Sequence, residues 1–273
     1  MRLFLAAILI LGFSAFVYTS QRGIDSLNVV THDNFQRGEY LQYRASYGFF
    51  NVGEGTFKIQ DHVYRINGRP CYKVDAYGKT SGFVGWVAHV DDHWYAYVDT
   101  ATLLTEVGYR DLIEGRYKKN EITTYNHQDS TISVKNLDHN TNKFKEPKDY
   151  KAEDITRGMM SGFLYFRSID FSTLNKGDTL GIKSFLDDTF YDFQVVVYKR
   201  EILKTKAGSF RSIVFRPVMP DNSVFEGEDS ILAWFSDDEN KIPLKVQAKM
   251  FIGKAGIELI GYQGLKNEPA LVE

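Results

Sequence analysis

One cysteine, almost no net charge and none of the common catalytic signatures set the first limits on this chain of 273 residues. Cys71 stands alone, so no internal disulfide is available and stability must come from packing and strand pairing. In its strand-like setting, Pro70-Cys71-Tyr72-Lys73-Val74, it reads as a small buried hydrophobe. No cysteine directly follows the apolar N-terminal run, which excludes a lipid-modified N-terminus there. Lys and Arg number 33 against 35 Asp and Glu, a net of −2. That balance carries no electrostatic footprint for nucleic acid and no basic tail for anionic membranes. The chain has no G-x-S-x-G, no glycine-rich phosphate loop and no cysteine with an arranged histidine. No fixed-period repeat, low-complexity segment or internal linker is visible either.

What is present begins with Met1-Arg2 and an uncharged apolar run from Leu3 to Val17. About 15 apolar residues behind a basic start fit a secretory signal better than a spanning helix. Tyr18-Thr19-Ser20 is a weak cleavage site, so a retained N-terminal anchor is the alternative. Aromatics reach 15%, with 17 Tyr and 20 Phe, a bias toward pleated, half-buried strands. Alternating runs recur from Gly38 onward: Tyr40 to Phe49, Gly55 to Ile59, Cys71 to Tyr77, His93 to Val98, Thr131 to Val134, Asp178 to Phe185, Tyr191 to Tyr198 and Ile242 to Phe251. Asn67-Gly68 is the strongest turn signal, and Asn51-Val52-Gly53 is read as another. The polar, lysine-rich stretch Asp138 to Lys151 reads as an exposed loop.

One segment changes period. Ile155, Met159, Met160, Phe163, Leu164 and Phe166 recur at spacings of three and four, a helical stripe, with Asp154 placed to cap it. Gly158 and Gly162 on that stripe imply close packing against another element. The expected fold is mainly β: antiparallel curved sheets forming a sandwich or partly open barrel, with one central helix. The expected organisation is a signal peptide or anchor at 1–20, a linker at 21–37, a single β-rich domain at 38–264 and a tail at 265–273.

Several stretches in order carry a resemblance: Gly38-Glu39-Tyr40-Leu41-Gln42-Tyr43 with Gly53-Glu54-Gly55; Asp91-Asp92-His93-Trp94-Tyr95-Ala96-Tyr97-Val98-Asp99; Met160 to Arg167; Lys199-Arg200-Glu201 with Thr205 to Phe210; and Trp234-Phe235-Ser236-Asp237-Asp238-Glu239-Asn240-Lys241-Ile242-Pro243. Together they resemble the bacterial exported family called domain of unknown function 3108. The helix lead-in, Ile155-Thr156-Arg157-Gly158, departs from that family's more polar pattern. The resemblance implies an exported, mostly antiparallel β protein of the bacterial envelope, in periplasm or cell envelope, and implies no activity.

No catalytic residue, metal ligand or cofactor is expected. His89 and His93 share a strand face but stand about 13 Å apart at the usual rise, too far to ligate one metal. Asp237-Asp238-Glu239-Asn240 and Asp187-Asp188 read as turns rather than cation loops. The favoured function is a non-catalytic module that binds an amphiphile or glycan, so lipid or glycan is the expected partner. Its candidate contacts are Trp86, Trp94, Tyr97, Tyr109 and Trp234 on a concave sheet face, Phe163 on the helix, and Arg167 facing an anionic group at the rim. Two alternatives stay open: an envelope-polymer enzyme using carboxylates such as Asp91, Asp92, Glu106 or Asp111, and an interaction protein pairing through a sheet edge.

Overall fold

A computed structural model describes residues 29–82, 89–218, 230–250 and 253–273. Its first half carries β1 (Tyr40–Tyr47), β2 (Phe50–Ile66), β3 (Arg69–Thr80), β4 (Val90–Asp99), β5 (Thr105–Glu114), β6 (Tyr117–Asn126), β7 (Thr131–Asp138), β8 (Lys143–Phe144) and β9 (Lys148–Lys151). Helix α1 (Met159–Ser168) follows. The second half carries β10 (Thr179–Leu186), β11 (Thr189–Thr205), β12 (Gly208–Pro217), β13 (Ile231–Ser236), β14 (Pro243–Lys249) and β15 (Lys254–Gln263).

All fifteen strands belong to one antiparallel sheet, in the order β10-β11-β12-β13-β14-β15-β1-β2-β3-β4-β5-β6-β7-β8, with β9 also on β7. The first and last long strands pair with each other in the middle, Leu41 opposite Tyr262, so the two halves of the chain fan out from that seam. The sheet curls until the β10–β11 hairpin reaches β5 and β6, where Asp187 accepts hydrogen bonds from Arg110 and Lys119. A partly open barrel results. Because α1 connects the two outer edges, it crosses the concave side and packs against β10 and β4.

The two-residue period is clear in β4, where Asp92, Trp94, Ala96 and Val98 are buried while Asp91, His93, Tyr95 and Tyr97 are half-buried on the opposite face. The turns supply left-handed geometry where it is needed. Asn67 and Gly68 both have positive φ, 50° and 78°, as a two-residue hairpin demands.

Several local expectations are corrected. The turn placed at Asn51-Val52-Gly53 lies at Gly48-Phe49, and β2 runs straight through Gly53. Glycine is required there because a Cβ would stand 2.4 Å from the Lys79 carbonyl oxygen of the paired strand. The supposed loop 138–151 forms β8 and β9, both on β7, and its Tyr150 packs on Phe185 at 5.0 Å between ring centroids. The helix begins at Met159, with Gly158 as an N-cap that makes no side-chain bond. Asp154 instead accepts from the neighbouring Ile155 amide and pairs with Lys183. The lead-in cannot be helical because the Arg157 amide and carbonyl bond to Lys183 and Phe185 of β10, which holds it extended along that edge.

The segments read as linker and tail both pack on the sheet where they are described. Phe35 is buried against the core, and Val30 donates its amide to Ala101. Leu271 bridges to Phe210 and Val272 donates to Ser209. The expected signal or anchor at 1–20 lies outside the described residues, among which no helix is long and apolar enough to cross a membrane.

Candidate functional site

The helix is fastened at both ends and roofs an empty space between. At its start, Thr105 of β5 donates to Ser161 at 2.7 Å and accepts the Gly158 amide at 3.1 Å. At its end, Arg167 is fully buried and hydrogen-bonds through all three guanidinium nitrogens. Nη1 and Nη2 donate to the two carboxylate oxygens of Glu39 at 2.5 and 2.9 Å, Nε and Nη2 to the Asn240 carbonyl, and Nη2 also to the Asn34 carbonyl. A bidentate pair of this kind fixes direction as well as distance.

Between the two fastenings, Met159, Met160, Phe163 and Phe166 face a cavity of about 280 Å³. Its walls come from nearly every long strand: Phe57, Trp94, Ile182, Phe185, Val195, Phe215, Ala233, Phe235, Val246 and Ile257. Phe163 meets Phe57 at 4.8 Å, and Phe166 meets Phe215 and Phe235 at 5.0 Å each. Ala76 and Ala233, small residues at inward positions, help leave the centre unfilled.

One carboxyl interrupts this apolar wall. Asp92 is 4% exposed and accepts the Ile113 amide at 3.1 Å. Burial and the neighbouring Glu114 push its pKa up to about 7 against that bond. Asp187, at the hairpin tip, behaves oppositely: burial pushes it up, but Arg110 and Lys119 outweigh burial and hold it at about 2.

The structure divides the sequence-derived candidates. Trp94 and Phe163 line the cavity. Tyr97 and Tyr109 do not; alternation puts their rings on the convex face, where Tyr109 stacks on Tyr95 at 4.5 Å and Tyr97 packs edge-on to Tyr64 at 5.4 Å, although Tyr109 borders a smaller space beside Gly108. Trp234, between the cavity residues Ala233 and Phe235, also turns to the other face and donates its Nε1 to Glu201 at 2.7 Å. Arg167 is not at a rim; it is fully buried, and its counter-ion is Glu39. Trp86 lies outside the described residues.

The carboxylates considered for an enzyme are not gathered in one cleft. Asp91 and Asp111 are on the convex face, Asp92 faces inward, and Glu106 is held by Arg69 and Asn67. Among the described residues no group of three or more His, Cys, Asp or Glu side chains is placed to hold a metal ion.

The fold and the site together define a class: a curled antiparallel sheet whose concave side, roofed by one helix, bears an apolar cavity. The profile for the family described as protein of unknown function (DUF3108) matches residues 42–260, and the chain belongs to that family. No curated protein matches it. Among solved structures it is similar to the beta-barrel-like protein of domain of unknown function DUF1849 from Brucella abortus, at 10% identity and a TM-score of 0.51, covering 83% of this chain and 98% of that one. A protein with YmcC-like fold from Bacteroides fragilis aligns at 10% identity and a TM-score of 0.30, covering 86% and 99%. A hypothetical protein from Chlamydia trachomatis aligns at 11% identity and a TM-score of 0.34, covering 87% and 92%. The Brucella protein shares the fold; the other two alignments carry no argument.

Proposed function

We propose that this chain is an exported envelope protein that binds one apolar chain of an amphiphile beneath α1. The observation that carries the reading is the cavity of about 280 Å³ with walls of Phe, Met, Ile and Val and a single carboxyl. Apolar walls of that extent, left unfilled or wetted, cost free energy that an apolar ligand would recover. Scaled from an apolar cavity of about 150 Å³ that takes a six-carbon ring, it holds roughly ten carbons. Ten buried methylenes supply about 8 kcal/mol, a micromolar driving force before ordering costs. A glycan fits poorly here, since its hydroxyls would lose water against hydrocarbon walls. Export rests on the basic start and the apolar run Leu3 to Val17.

The test is native mass spectrometry of the purified protein after incubation with envelope lipid extract. A bound species of single-chain mass is expected. Protein that stays empty across extracts and chain lengths refutes the reading.

A further inference from the structure

The cavity has a neighbour. A chamber of about 50 Å³ lies beside it and shares Trp94, Met159 and Met160 as lining residues. At about 10–15 Å³ for each water position, it takes roughly three to five water-sized groups. Its character is different from the main space, for Arg110, Glu121, Thr123 and Tyr125 line it.

The chamber exists because β5 carries glycine at an inward position. Gly108 lies opposite Ala96 on the buried face of β4 and two residues before the buried Arg110. A Cβ built there would meet nothing closer than Thr105 Cγ2 and the Thr123 carbonyl oxygen, both at 4.0 Å.

Two further features describe what it would accept. Trp94 is 5% exposed, and its Nε1 donor has no hydrogen-bond partner. A buried donor without an acceptor costs free energy, so the site is short of one acceptor atom. The charges, by contrast, are already balanced. Arg110 donates to Glu121 at 2.7 Å and to Asp187 at 2.8 Å, and Lys119 lies 2.8 Å from Glu121 and 2.7 Å from Asp187. Two cations face two anions, and an ion added here would stand unpaired.

We infer that the chamber at Gly108 receives the head of the amphiphile, and that this head is compact, uncharged and hydroxyl-bearing, accepting a hydrogen bond from Trp94 Nε1. The inference rests on the chain-binding reading above and adds a head-group class to it. At the chamber neither an acidic nor a cationic head finds an unpaired counter-ion, so both are disfavoured there.

The experiment measures displacement of a neutral apolar dye, N-phenyl-1-naphthylamine, from the full-length protein by decanol, decanoate and decylammonium. Decanol is expected to compete at least tenfold better than either ion. Trp94→Phe keeps a six-membered aromatic ring and removes the donor; because Trp94 also lines the main cavity, the readout is a ratio, and decanol should weaken about three- to tenfold more than the dye does. Gly108→Val adds volume at a position where a Cβ has room and should weaken decanol at least as much, with melting temperature confirming the fold.

Dye binding with decanoate equal to or better than decanol overturns the head-group inference while the chain-binding reading stands. So does decanol affinity untouched by both variants, the result if the chamber holds only water. Failure of the wild-type protein to bind the dye and every decyl compound overturns both.

Discussion

Replacing Arg167 by methionine tests whether the buried ion pair fastens the roof of the cavity. The substitution keeps the apolar stem and removes the charge. Glu39, itself fully buried, is then left without its counter-ion, and the carbonyls of Asn34 and Asn240 lose the guanidinium donors. Removing one partner of a buried pair costs about 3–5 kcal/mol, because the remaining charge stays in a low-dielectric interior. For a domain of this size each kcal/mol shifts Tm by about 2–4 °C, which gives a fall of roughly 6–20 °C. Urea unfolding followed by tryptophan fluorescence, with calorimetry as a second observable, measures it. The double variant Glu39→Leu/Arg167→Met supplies the control. It removes both charges and should be more stable than Arg167→Met alone, with the two backbone carbonyls as the main remaining cost, about 1–3 kcal/mol each if they stay dry. The reasoning is refuted if Arg167→Met unfolds within 1 kcal/mol of wild type, or if the double variant is no better than the single.

Asp92 predicts a pH effect. Its carboxyl is raised in the folded protein to about 7 from an ordinary 3.8. The folded state therefore holds a proton that the unfolded state releases, and stability falls as pH rises from about 4 to about 7. The full loss is on the order of 4 kcal/mol. Asp92→Asn should raise Tm at pH 8 and change it little near pH 4; equal effects at both pH values contradict the assignment. The two helix glycines should separate. A Cβ at Gly158 meets Thr105 Oγ1 at 2.8 Å and Tyr125 Oη at 3.0 Å, whereas one at Gly162 meets nothing closer than 3.7 Å. Gly158→Ala should destabilise, and Gly162→Ala should be neutral or stabilising by up to about 1 kcal/mol, read by urea titration. Cys71 is buried, and its thiol is pushed up to about 12 mainly by that burial. It should resist a maleimide under native conditions and react on unfolding; rapid native labelling would show the strand is open there.

The sequence made the sheet legible through alternation, and the reason is local: a strand buried on one face must place apolar residues at every second position, as in Asp92 to Val98. It made the helix legible by the same token. It did not give α1 its start, because the lead-in around Arg157 is extended by bonds to β10, and such a partner leaves no mark on nearby sequence. Nor did it sort the aromatics. Tyr97 and Trp94 lie on one strand with opposite faces, and which face is concave depends on how all fifteen strands curl. Glu39 and Arg167 are 128 residues apart, so their pairing has no local signal. The small inward residues Ala76, Gly108 and Ala233 were readable as missing volume once their strand phase was known.

The segments that carry the family resemblance have a physical common point. Glu39 comes from the first, Arg167 from the helix stretch, and Asn240 from the Trp234-to-Pro243 stretch, and all three meet at one guanidinium. The acidic run within that last stretch turns the chain so that this contact forms. Asp238 Oδ1 accepts from the Ser236 hydroxyl and from the amides of Asn240 and Lys241, which aims the Asn240 carbonyl at Arg167. The Asp91-to-Asp99 stretch then brings Asp92 and Trp94 to the wall, opposite a roof whose height the ion pair sets. Much of the remaining wall comes from elsewhere: Phe57, Ile182, Phe185, Val195, Phe215, Ala233, Val246 and Ile257. A division follows between the residues that hold the cavity open and those that set its length. Substitutions at the second set should change which chain fits without loosening the helix. Substitutions at Glu39, Arg167 or Asp238 should loosen the helix first and weaken every ligand alike.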